Sequence, residues 1–312
     1  MVNKTLAMNS YASSLSQDST MILNISKKAT LLRVGETGIK RLCTYNSLKL
    51  PSTGAISSDL SAVAYKNANG QVAINNATTG QLILKHNAVM NEGCGVFFTH
   101  DNKSILSSTW ACDVFIIDIL SGEIDVQRIG NGEYRGATIL LGGTPEEFFV
   151  YCKQMTKEVS SRLYRLTLLE NKVVLKPDCD MPRCSILTPM SNRKTLLFSS
   201  DSNSVSKIYR YDIEGGSCHE YMDIQLIYSS YKKAKSELQK VTFISATCNG
   251  EYIIVVCNWK NIMIVETSQK KCIKCIEHNY TSNIALLNGD RTLWIGTWER
   301  TYLYDFYNLC SG

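Results

Sequence analysis

His100-Asp101-Asn102-Lys103-Ser104 leads into Ile105-Leu106-Ser107-Ser108, then Thr109-Trp110-Ala111-Cys112, then Asp113-Val114-Phe115-Ile116-Ile117-Asp118, and the stretch closes at Leu120-Ser121-Gly122. A polar turn opens onto a short apolar strand. A loop follows, then a second apolar strand that stops at Asp, then a Ser-Gly turn. Each run has the length of an ordinary strand, about five residues. Polar turn residues sit at both ends, where hairpin geometry needs them.

The same phrase recurs along all 312 residues. Its polar turn stands at Gln17-Asp18, Ser58-Asp59, His100-Asp101, Pro145-Glu146, Ser191-Asn192, Cys248-Asn249 and Gly289-Asp290, at intervals of 41, 42, 45, 46, 57 and 41 residues. Most intervals match the roughly 40–45 residues of a four-stranded propeller blade. An apolar run follows each turn, from Met21-Ile22-Leu23 through Ile253-Ile254-Val255-Val256 to Leu293-Trp294-Ile295. A further strand follows each run, and several end in a tight turn: Thr79-Gly80, Ser121-Gly122, Gly215-Gly216. Long helical periodicity is nearly absent. Short, evenly spaced strands mean an all-β fold, and the period selects a seven-bladed β-propeller, each blade a four-stranded antiparallel sheet. No linker breaks the chain, so a single domain over 1–312 is expected. The fourth unit is the least regular, with a long turn at Gly142–Glu147 and an extended connection from Lys153 to Ser161.

The last unit ends after its third strand. Val2 to Met8 alternates and can supply the missing fourth, so the N-terminal strand is expected to complete the last blade and cover its edge. The 57-residue interval holds an insertion, about 218–240, rich in Tyr and Lys, with Ser229 or Ser230 able to cap a short helix through Leu238.

Period and pattern together resemble the WD-repeat family and its seven-bladed relatives. The place of the Trp-Asp dipeptide is taken by Ile117-Asp118, Tyr211-Asp212 and Tyr304-Asp305, and the blade-opening Gly-His is absent. The resemblance implies a propeller that works as a recognition surface.

Composition sets limits. Charged residues are 20% and the formal net charge is +5, a modest excess for this length. That disfavours a nucleic-acid footprint, which needs clustered cations. Met1 to Leu15 carries no apolar run of signal-peptide or membrane length, so a cytoplasmic location is expected, with no membrane partner. Twelve cysteines then read as reduced thiols, several inside apolar strands. Cys272-Ile273-Lys274-Cys275 is a lone C-x-x-C. In a regular strand its two thiols would point to opposite faces, and no second pair completes a zinc site. No cofactor and no metal is expected.

No catalytic constellation is visible: the four histidines are scattered, and the Ser-nucleophile, zinc-protease and phosphate-loop motifs are missing. One pattern stands out. Trp110, Trp259 and Trp298 occupy matching places between the second and third strands of units three, six and seven. In a propeller such connections share a face with the 218–240 insertion, which carries Tyr228, Tyr231, Lys232 and Lys233. Aromatic and cationic residues together resemble an interface hot spot. The expectation is a non-catalytic, monomeric scaffold that binds a protein or peptide through these seven residues. The alternative is an enzyme or small-ligand sensor using the central channel. A minor third reading has the lysines and tyrosines of the insertion bind nucleic acid.

Overall fold

In a computed structural model, residues 4–35, 38–87, 95–130, 132–142, 147–155, 160–169, 172–190, 194–200, 206–232 and 239–311 are described. They form seven four-stranded antiparallel sheets, the blades of a seven-bladed β-propeller, with two short helices among the described residues. By contact density the chain forms two compact units: residues 11–181, and residues 1–10 with 182–312.

The 11–181 unit holds the first four blades. Blade one is Ala12–Leu15, Met21–Ile25, Ala29–Gly35 and Gly38–Tyr45; blade three is Val96–Phe98, Ser104–Ser108, Asp113–Asp118 and Ile124–Arg128. Blade four, the irregular unit of the sequence, is a full sheet and has the longest outer strand, Lys172–Met181. Middle strands carry the core. Ile22, Leu23, Val63, Ala64, Ile105, Leu106 and Val150 are fully buried, and their neighbours cluster between successive blades.

One side-chain device builds the repeated turn in both units. Ser16, Ser57, Thr99 and Thr247 each stand two residues before an Asp or Asn. Each hydroxyl donates to that residue, at 2.5, 2.6, 2.8 and 2.8 Å. Each also accepts the backbone N–H five residues on, from Met21, Ala62, Ser104 and Tyr252, at 2.9–3.0 Å. Between them, Ser19, Leu60, Asn102 and Gly250 take left-handed backbone, with φ of 57°, 61°, 57° and 71°. The local hydrogen bonds offset the cost of that conformation.

The second unit holds the last three blades. Blade six is Val241–Ala246, Tyr252–Cys257, Asn261–Glu266 and Lys271–Glu277; blade seven is Thr281–Leu287, Thr292–Thr297, Thr301–Asp305 and the N-terminal strand Lys4–Leu6. The N-terminal strand pairs antiparallel with Thr301–Asp305, with Lys4 opposite Leu303 and Leu6 opposite Thr301. The expected closure is therefore present, over a shorter span; Val2 lies outside the described residues. A buried polar knot fastens the same segment. The Ser10 N–H donates to the Thr297 carbonyl at 2.9 Å. Asn283 Nδ2 donates to the Ser10 carbonyl at 2.9 Å, the Ser282 hydroxyl donates to the same carbonyl, and the Trp294 indole donates to Asn283 Oδ1 at 3.2 Å.

The insertion differs from its expected form. Ser217–Asp223 is the fourth strand of blade five, and the helix runs Ile224–Lys232. Asp223, rather than Ser229 or Ser230, caps it: Asp223 Oδ1 accepts the Leu226 N–H at 3.1 Å. Ile224 and Tyr228, one turn apart, face the core between blades five and six. After the third strand of blade seven, Asp305 caps a second short helix, Phe306–Cys310.

Candidate functional site

Blades six and seven each place a Trp in the turn between their second and third strands. In blade six that turn is Cys257-Asn258-Trp259-Lys260, closed by the Lys260 N–H on the Cys257 carbonyl at 2.9 Å. Asn258 and Trp259 both have positive φ, 53° and 57°, which defines a type I′ hairpin turn. Asn-Gly is the favoured pair there, because glycine has no Cβ to strain. A Trp in the left-handed region costs about 1–2 kcal/mol.

Tyr280, in the connection from blade six to blade seven, is left-handed too, at φ 57°. Three backbone hydrogen bonds lock these turns together. The Thr281 N–H donates to the Trp259 carbonyl at 2.8 Å, the His278 N–H to the Lys260 carbonyl at 3.0 Å, and the Trp298 N–H to the Tyr280 carbonyl at 3.3 Å.

The aromatic side chains are not core. Trp259, Tyr280 and Trp298 are 51%, 59% and 61% exposed. Tyr280 and Trp298 stack with centroids 5.9 Å apart and planes 17° from parallel. Trp259 meets Phe243 edge-on at 5.2 Å. With Asn258, Lys260 and Asn279 they line a cleft of about 570 Å³. That volume lies within the range of small-molecule sites, about 300–1,000 Å³.

A charge cluster borders the cleft. Glu277 accepts from Lys232 at 3.3 Å and from Lys260 at 3.4 Å. The two ammonium groups hold its carboxyl below the usual range. Two cations on one carboxylate leave a net positive charge beside the aromatic faces. Exposed pairs of this kind add little stability. Just before the cleft, burial lowers the pKa of His278, whose ring stacks on Tyr302 at 3.8 Å and whose Nε2 lies 2.7 Å from the Tyr304 hydroxyl.

Of the seven residues expected at an interface, Trp259 and Trp298 share this cleft, and Lys232 reaches it through Glu277. Tyr231 is exposed at the end of the helix. Tyr228 requires correction: it is 7% exposed and packs with Ile224 and Val241 in the core, so it presents no surface to a partner. Lys233 lies outside the described residues. Trp110, in the other unit, is 46% exposed at the matching turn of blade three, and its carbonyl accepts the Gly136 N–H at 2.8 Å. There Arg135, in the strand Tyr134–Leu141, precedes the bonded Gly136 as Tyr280 precedes the bonded Thr281, so that position holds no ring. Sequence reasoning missed Tyr280 and Asn279. The available signal was a Tyr in the turn triplet His278-Asn279-Tyr280, just before a blade's first strand.

The C-x-x-C also departs from expectation. The ladder between Asn261–Glu266 and Lys271–Glu277 pairs Val265 with Cys272 and Ile264 with Lys274, leaving Ile273 as a bulge. The bulge reverses the alternation. Cys272 and Cys275 therefore share a face and pack with Cys257 around one core. Burial pushes their thiols up, to about 12 for Cys272 and about 11 for Cys275. They stay protonated and unreactive at neutral pH. No cluster of three or more potential metal ligands occurs among the described residues, and every cysteine there is unbridged. Mass spectrometry of the denatured, unreduced chain is expected to count close to twelve free thiols; a stoichiometric disulfide between Cys272 and Cys275 would contradict this.

No family model matches the chain, and no curated protein matches it. Among solved structures it is similar to Kuenenia stuttgartiensis hydrazine synthase, with a TM-score of 0.72 over 97% of each chain at 10% identity. At that identity the likeness shows the fold alone. It does correct the expectation of a non-catalytic scaffold, and with it the expectation that this is not an enzyme. Both rested on the missing catalytic motifs, the aromatic face and a resemblance to propellers that bind without turnover, and the matching propeller belongs to a synthase. No helix among the described residues is long and apolar enough to cross a membrane.

Proposed function

We propose that this protein recognises a small ligand, as a sensor or as the binding step of an enzyme, in the cleft formed by Trp259, Tyr280 and Trp298. One observation carries the proposal: two bulky aromatic residues, Trp259 and Tyr280, hold left-handed backbone conformations at the mouth of one exposed cleft. Unfavourable backbone persists where surrounding structure enforces it, and it gathers at binding sites. The interlocked turns support the same reading, since a rigid frame fixes the aromatic planes before a ligand arrives. The site lies at the turns of blades six and seven. The Ser/Thr-x-Asp turns support a distant kinship with WD-repeat propellers, and the free thiols suit a cytoplasmic setting.

A thermal-shift and tryptophan-fluorescence screen over nucleotides, sugars and small carboxylic acids tests the reading. A ligand that raises the melting temperature should lose its effect in the Trp259→Ala, Trp298→Ala double variant. Stacking on one aromatic face contributes about 1–3 kcal/mol, so two lost faces should remove measurable binding. The unliganded variant should melt close to the parent, because both rings are more than half exposed and surface changes usually cost little. A loss of about 3–5 kcal/mol, the cost of deleting a packed Trp, would make these residues structural instead.

A further inference from the structure

We infer that the ligand is a planar heteroaromatic anion, with a mononucleotide as its simplest biological form. The inference rests on the cleft being a ligand site, and it follows from which chemistry uses all of the lining. Tyr280 and Trp298 stack on one another, which leaves the outer face of the pair for a ligand, and Trp259 adds a third exposed ring. Flat rings gain most from such faces. A neutral sugar would leave the charge unused, and an aliphatic acid would leave the rings unused.

The charge is specific in sign. Among the six lining residues Lys260 is the one charged group, and none is acidic. Its ammonium lies 3.4 Å from Glu277 Oε2, while Lys232 takes the other oxygen of the same carboxylate at 3.3 Å. Glu277 is thus shared between two cations, and Lys260 keeps donor capacity for an incoming oxyanion, since an ammonium has three N–H groups. Asn279, also in the lining, supplies an amide with one acceptor oxygen and two donor hydrogens, the pattern that pairs with the edge of a base. Ring on the aromatic faces, edge at Asn279 and phosphate at Lys260 together fill the cleft.

Isothermal titration with AMP and with adenosine, which differ by the phosphate alone, tests this. AMP is expected to bind about tenfold or more tightly than adenosine, the weight of a hydrogen bond to a charged group. Lys260→Met should erase that ratio without changing adenosine binding. Glu277→Gln, which frees both ammonium groups, should tighten AMP several-fold and leave adenosine unchanged; a merely structural pair would give neither response. Equal binding of AMP and adenosine overturns the anion and leaves the cleft as a neutral-ring site. Binding of neither, alongside a screen ligand that needs Trp259 and Trp298, overturns the nucleotide class and keeps the cleft. No ligand dependent on these tryptophans at all is instead the failure of the underlying site.

Discussion

Trp294→Ala is expected to lower the unfolding free energy by about 3–5 kcal/mol, the range for removing a large aromatic side chain from a core. Trp294 is fully buried in the second strand of blade seven, opposite Ala285 on one side and Leu303 on the other. Its indole N–H donates to Asn283 Oδ1, which lies in the knot around Ser10. Alanine would leave a cavity and remove one buried hydrogen bond, worth about 0.5–1.5 kcal/mol. The contrast with Trp298, four residues later in the same hairpin, makes the test internal. Trp298→Ala removes an exposed ring and should stay within about 1 kcal/mol of the parent, as surface changes usually do. Denaturant unfolding of both variants gives the comparison. Equal losses would mean that the burial assigned to blade seven is wrong.

The second large effect concerns residues 1–9. Their deletion is expected to cost several kcal/mol, because it removes more than a short ladder. Three residue pairs with Thr301–Asp305 disappear, and so does the bond from the Thr301 hydroxyl to the Met8 carbonyl at 2.9 Å. Ser10 becomes a chain end, and the Asn283 and Ser282 donors lose a fixed carbonyl. The packing there has no slack: a Cβ on Gly296 would meet the Asn283 amide and the Ser10 side chain inside van der Waals distance. Deletion also bares the edge of Thr301–Asp305, and bare edges pair with other chains. The truncated protein should unfold at lower denaturant and aggregate sooner. An unchanged midpoint would remove the N-terminal strand from the account of stability.

The fold was legible because its punctuation is local. A Ser/Thr-x-Asp/Asn turn is set by residues within five positions of one another, so Ser16, Ser57, Thr99 and Thr247 mark their blades without help from the rest of the chain. The two turns at Pro145-Glu146 and Ser191-Asn192 lie outside the described residues, yet the sheets on either side of them keep the phase. Half of the site was legible for the same reason: Trp259 and Trp298 recur at one point of a repeated hairpin. What could not be read depended on distant partners. Tyr228 carries the side chain of a surface contact, but Ile224 one turn earlier and the core of blades five and six draw it inward. One extra residue at Ile273 turned Cys275 to the face of Cys272, and alternation alone cannot announce a bulge. Tyr280 stands in a connection with no periodicity, so nothing tied it to Trp298 before folding did. The reading of function failed at another level, since a propeller does not say whether it turns over what it binds.

The pairing of Lys4–Leu6 with Thr301–Asp305 also fixes an order of events during synthesis. Met8 and Thr301 are 293 residues apart. At about 5–20 residues per second, a ribosome needs roughly 15–60 s to pass from one to the other. Throughout that time the early strand has no mate, while the strands of the blades between are made one after another. Blade seven is therefore assembled from the earliest and the latest segments of this stretch, and its folding waits on translation. A nascent chain halted before Thr301 would hold all the strands of six sheets and one unclaimed strand.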